Sequence, residues 1–123
     1  MPDMDTALKE AMQIDGAIGV AVVDYTSGMA LGTLGSSKEL DLTVAAAGNT
    51  DVVRAKMRTL DLLKLKDEIE DILITLGTQY HLIRPLRSRG GQGLFVYLAL
   101  RRDRANLALA RHRLRMIEQA LEM

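Results

Sequence analysis

The sequence predicts an α+β fold: a three-layer α/β/α arrangement around a central five-stranded antiparallel sheet, with element order α-β-β-α-β-β-β-α. Three observations carry this. Two continuously apolar segments, Ile18 to Val23 and Leu94 to Leu100, read as strands buried on both faces and so compete for the sheet centre. Shorter strands bounded by turn residues flank them. Three further segments place apolar residues at helical spacing, and one of these, Leu42 to Leu65, has more apolar surface than one face needs.

Joining the two apolar strands gives the spatial order 2-1-5-4-3. The terminal helices then cover one side of the sheet and the long helix the other. The 123 residues suit a single domain spanning 1–123. No cysteine is present, which excludes a disulfide framework and a thiolate metal or redox site.

Taken in order, Thr6 to Gln13 is a short helix with Asp5 as its expected N-cap, ended by Asp15-Gly16. Ile18 to Val23 is the first strand, with Gly19 marking a closely approached position. Asp24-Tyr-Thr-Ser-Gly28 is a turn, because Asp24 and Ser27 bond backbone groups and Gly28 accepts positive φ. Met29 to Leu34 completes the hairpin. Ser36, Ser37 or Asp41 begins the long helix, and Asp41 is the better cap because the periodic apolar residues start immediately after it.

At about 100° per residue, Leu42, Ala46, Val53, Met57 and Leu60 form one apolar sector of that helix. Val44, Ala45, Val52, Ala55, Leu62 and Leu63 form a second. Asn49 and Lys56 lie between the two, and Thr50, Asp51, Arg54, Arg58 and Asp61 make a thin polar strip. Gly48 costs about 1 kcal/mol relative to alanine in a helix. Its place in Ala45-Ala-Ala-Gly48 suits close approach of a second element.

Ile69 to Leu76 is a strand of period two and Tyr80 to Leu86 the next, limited by Pro85. Arg87 to Gly93 is a glycine-rich contact loop. After Leu94 to Leu100, Asp103 is expected to cap a terminal helix ending near Met123, whose single stripe is Leu107, Ala110, Leu114, Ile117 and Leu121.

The strand from Ile69 to Leu76 is left as an edge, beside the helix with two apolar sectors. Edge pairing together with helix packing closes a two-fold homodimer. The expected contacts are Ala45, Gly48, Asn49, Val52 and Lys56 on the helix and Ile72 and Ile74 on the edge strand.

No chemistry-bearing constellation emerges, so no catalytic, cofactor-binding or metal-ligating residue is expected and the chain reads as a non-enzyme. His81 and His112 lack any ligand spacing, and both read as partly exposed or surface residues. Asp24 and Ser27 have no base beside them in sequence and serve the turn. The Arg87 to Gly93 loop joins two strands and lacks the phosphate-loop pattern.

Formal net charge is zero, yet nine arginines against one acid, Asp103, fall between Arg84 and Arg115, while Asp67, Glu68, Glu70 and Asp71 cluster just before. A solvated arginine face is the favoured reading of that region, over a positive patch for an acidic protein or nucleic acid. With four aromatic residues and no interleaving of aromatic and basic positions, nucleic-acid binding would rest on the arginines alone. The acidic N-terminus lacks the apolar run of a signal peptide, and no apolar run approaches the about 18 residues of a membrane span, which points to a cytoplasmic protein.

The pattern resembles the Roadblock/LC7 family over nearly the whole chain. The most specific pieces are Ile18-Gly-Val-Ala-Val-Val-Asp24 with its Ser27-Gly28 turn, and Leu98-Ala-Leu-Arg-Arg-Asp-Arg-Ala-Asn-Leu107 running into Ala110-Arg-His-Arg-Leu114. Glu68-Ile-Glu-Asp-Ile-Leu-Ile74 and Ile83-Arg-Pro-Leu86 are similar to bacterial members. The resemblance implies a homo- or heterodimeric scaffold whose long middle helices pack together and whose third strands join into one sheet. For the bacterial branch it implies work with a small Ras-like GTPase, as regulator or binding platform.

On that reading Thr50, Arg54, Arg58 and Asp61 are candidate partner contacts. Nothing places either arginine against a phosphate as an arginine finger. The leading expectation is therefore a homodimeric adaptor or regulator of a small Ras-like GTPase. The alternatives are a scaffold subunit of another assembly and, behind it, a nucleic-acid-binding protein using the Arg84 to Arg115 region.

Overall fold

The computed structural model describes residues 3–35, 40–87 and 93–121. Ser36, Ser37, the centre of the Arg87 to Gly93 loop and the expected helix end at Met123 lie outside the described residues. The element order is α1 (Met4–Met12), β1 (Ala17–Asp24), β2 (Met29–Leu34), α2 (Leu42–Leu62), β3 (Ile72–Thr75), β4 (Gln79–Pro85), β5 (Leu94–Arg101) and α3 (Leu107–Ala120). The strands form one antiparallel sheet in the order β2-β1-β5-β4-β3, as the two apolar strands required.

Alternation along β1, β4 and β5 sorts side chains onto two faces, each with its own core. Val20, Val22, Leu82, Val96, Leu98 and Leu100 meet α1 and α3 through Leu8, Ala11, Ala110, Leu114 and Ile117. Ala21, Val23, Ile83, Phe95, Tyr97 and Ala99 point the other way and meet Leu42, Ala46 and Val53 of α2. This is the three-layer arrangement. Among the described residues no helix is long and apolar enough to cross a membrane.

Asp41 caps α2 as expected, its carboxylate accepting from the Thr43 and Val44 N–H groups at 3.0 and 3.2 Å. The helix stops at Leu62, short of Leu65, because Lys64 takes a left-handed conformation (φ 57°) and turns the chain away. In the β1–β2 turn Gly28 has φ 80°, and Asp24 accepts from the Thr26 N–H and hydroxyl at 2.8 and 2.6 Å. Those bonds hold the Asp24 carboxyl below its ordinary range. A Cβ on Gly19 would lie 3.0 Å from Leu40, which explains the missing side chain in a central strand.

Other boundaries also differ from expectation. Asp3, not Asp5, caps α1, accepting from the Thr6 N–H at 2.9 Å. β4 runs from Gln79 to Pro85 rather than Tyr80 to Leu86. Asn106, not Asp103, caps α3, because Asp103 is drawn into an ion pair with Arg101 at 2.9 Å and residues 102–105 form a turn before the helix. β3 is confined to Ile72–Thr75, since Glu70 and Asp71, which would extend it, are held by arginines of α3.

Candidate functional site

The two apolar sectors of α2 have different environments. Leu42, Ala46 and Val53 are buried against the sheet, with Met57 packed beside them. The second sector is open: Val44 is 67% exposed, Val52 38% and Leu62 77%. Around Gly48 no atom lies within 4 Å of where a Cβ would stand, so the small-residue surface is free for a neighbour. Ala45 and Asn49 are half-buried and Lys56 is exposed.

α2 lies over β1 and β2, and does not extend as far across β4 and β3. Ile72 and Ile74, on the α2 side of the sheet, are therefore only half-buried at the margin of that core. β3 is also the last strand of its sheet, with one row of backbone hydrogen-bonding groups that no strand among the described residues pairs. The predicted interface residues thus divide between the outer side of α2 and the adjoining edge strand.

Between these two elements lies a polar cluster that sequence reasoning missed. His81, which pairs with Ile74 in the sheet register, packs edge-on against Tyr97 with ring centroids 5.3 Å apart. The Tyr97 hydroxyl is 3.1 Å from His81 Nδ1, and His81 Nε2 is 2.7 Å from Gln79 Oε1. Asn49 of α2 lies near the same hydroxyl. Burial pushes the Tyr97 phenol up to about 12, against the opposing effect of Asn49, and holds His81 below its ordinary value of 6.5. The available signal was Tyr97 itself, since a tyrosine in an otherwise apolar strand needs a polar partner.

The polar strip is realised only in part. Thr50 is 3% exposed and its hydroxyl donates to the Ala46 carbonyl at 2.7 Å, so it is a satisfied internal residue and not a surface contact. Arg54, Arg58 and Asp61 are exposed. Asp61 borders a groove of about 380 Å³ whose other walls include Tyr25, Met57, Leu65, Pro85 and Arg87. His112 lies on the surface. Among the described residues no group of three or more His, Asp or Glu side chains is arranged to hold a metal.

The arginine-rich region is neither simply solvated nor a free positive patch. Arg84 is 4% exposed and reaches Glu118 at 2.7 Å and Asp71 at 3.6 Å. Arg111 grips Asp71 with two bonds at 2.8 and 3.0 Å, Arg115 pairs with Glu70, and Arg87 lies 3.7 Å from Glu68. Arg102 donates to the Leu76 carbonyl and stacks over Tyr80. The acidic cluster before β3 therefore neutralises much of the basic segment, which removes the main support for nucleic-acid binding.

The whole arrangement superposes on a known domain. The crystal structure of a Roadblock/LC7 domain from Streptomyces avermitilis matches 97% of this chain and 94% of that one with a TM-score of 0.80, at 11% identity. This is the Roadblock/LC7 fold. Two other solved structures share it with this chain. Myxococcus xanthus MglB matches at 18% identity and a TM-score of 0.74, covering 92% of this chain and 77% of that one. MglC from Myxococcus xanthus matches at 24% identity and 0.58, covering 94% and 92%. No family model and no curated relative matches the sequence. In this Roadblock/LC7 fold the outer side of α2 and the β3 edge are among the surfaces left open.

Proposed function

We propose that this chain is a homodimeric, non-catalytic adaptor or regulator of a small Ras-like GTPase. The observation that carries the dimer is the open apolar sector of α2 beside an unpaired strand edge: Val44, Val52 and Leu62 stand in water on a helix whose opposite side is fully used by its own core. A two-fold axis would let the same sector and the same edge serve both copies. The GTPase assignment rests on the family resemblance read in the sequence and on the likeness of fold to the Roadblock/LC7 domain and the Mgl proteins. Because self-association takes up the apolar surface, Arg54, Arg58 and Asp61 and the groove beside Asp61 are the surfaces for the GTPase.

Two measurements test this. Sedimentation velocity reads the oligomeric state, with a dimer expected and a monomer at all accessible concentrations refuting it. Purified Ras-like GTPases from the source cell, loaded with GDP or a GTP analogue, are then titrated with the protein and assayed for hydrolysis. Stimulated hydrolysis identifies a regulator and binding without stimulation an adaptor. Absence of binding in both nucleotide states rejects the GTPase reading.

A further inference from the structure

The cluster between α2 and β3 has a direction. Gln79 Oε1 can only accept, so the His81 Nε2 that faces it at 2.7 Å carries a proton. In the neutral ring Nδ1 is then an acceptor, and the Tyr97 hydroxyl, 3.1 Å away, donates to it. Asn49 of α2 lies near that hydroxyl. The chain of donors thus runs from Tyr97 on β5 to His81 on β4, and on to Gln79. Every link is satisfied only while His81 is neutral.

Protonation at Nδ1 sets two donors against each other. Tyr97 is buried and would have to turn its proton away from His81. Among the described residues no neighbouring group offsets the new charge. From β5 the ring meets the Tyr97 phenol, and Arg101 stands opposite Gln79, where Asp103 is already engaged by it. From β3 it meets Ile74, with Ile72 farther along the same face, and from α2 the uncharged Asn49, with Lys56 two turns beyond. The ring lies beside Ile74, one of the predicted interface residues.

We propose that His81 links self-association to protons: the neutral ring completes the hydrogen-bonded chain at the dimer face, and protonation breaks that chain and weakens the dimer. The inference rests on the self-association part of the proposed function. A second copy covering this face removes the remaining water from the ring, adding to the burial that already disfavours its charged form. Dimerisation then releases protons wherever free chains carry them, and the dissociation constant rises as pH falls.

The test is sedimentation equilibrium of the full chain from about pH 8 to about pH 5.5, a window in which histidine titrates and most carboxylates do not. The expected result is a dissociation constant about tenfold or more higher at the acid end. The His81→Gln variant should dimerise with little pH dependence, whereas His112→Gln, which changes the only other histidine, should keep it. If His81→Gln misfolds, NMR titration of His81 in the unmodified chain reads the same linkage, and its pKa should be lower at concentrations where the dimer forms. No dimer at about pH 8 overturns the self-association reading, and this inference with it. A dimer whose affinity is flat with pH, or whose pH dependence survives in His81→Gln, overturns the inference alone.

Discussion

Replacing Arg84 by methionine removes a buried cation held between the sheet and α3. Its guanidinium lies 2.7 Å from Glu118 and 3.6 Å from Asp71, and Arg84 and Glu118 are 4% and 7% exposed. Asp71 keeps Arg111, which holds both its oxygens, but Glu118 loses its only ion-pair partner among the described residues. Breaking a buried pair by removing one partner costs about 3 to 5 kcal/mol. Here the lower end, about 3 kcal/mol, is expected, because Asp71 remains paired and only one carboxylate is stranded.

A domain of this size tolerates that loss from a total of about 5 to 15 kcal/mol. The variant should therefore fold, with a melting temperature lower by about 10 °C. Urea titration of Arg84→Met, Glu118→Leu and the double variant forms a mutant cycle. The double variant should lie much closer to the parent than Arg84→Met does, since no buried charge remains unpaired. A loss below about 1 kcal/mol for Arg84→Met would show that the pair is solvated and the reasoning wrong, as would a double variant that loses the sum of both single changes.

The two sectors of α2 should respond oppositely to substitution. Val44→Asp, on the open sector, should change the stability of the dissociated chain by no more than about 0.5 kcal/mol and abolish the dimer on sedimentation. Leu42→Ala, on the buried one, should lose about 2 to 5 kcal/mol by urea titration. Gly48→Ala should stabilise the isolated helix region by about 1 kcal/mol, because no atom stands near its Cβ position. Gly48→Leu should fold equally well yet weaken self-association, and an undiminished dimer would remove Gly48 from the contact. Because burial lowers the His81 pKa, the unfolded chain binds that proton more readily, so this contribution to stability is complete above the ordinary value of 6.5 and declines as pH falls through and below it. Urea midpoints of the parent and His81→Gln across that range should diverge only on the acid side.

Much of this architecture was written locally. The Asp41 cap, the positive φ at Gly28 and the continuous apolar run of β5 depend on neighbours within a few residues, and each was recognisable from residue type and spacing. The sheet order followed from two segments that could not face water on either side. Boundaries failed where a distant partner intervened. Asp103 looked like a helix cap until Arg101 engaged it, and the strand expected from Ile69 begins at Ile72 because Arg111 and Arg115 hold the two preceding carboxylates.

The candidate site was legible as an excess of apolar surface on one helix, but not as an orientation. Sequence periodicity established that Leu42 to Leu65 carries two sectors, since that depends only on the pitch of a helix. Only the tertiary structure decided that Ala46 and Val53 face the sheet while Val44 and Val52 face outward. It also moved Thr50 into the interior, neutralised several arginines with carboxylates up to 45 residues away and assembled Tyr97, His81 and Gln79 into one chain. The physical reason is the same throughout: pattern and propensity act over one turn or one pleat, whereas burial and charge pairing depend on which surfaces the completed sheet brings together.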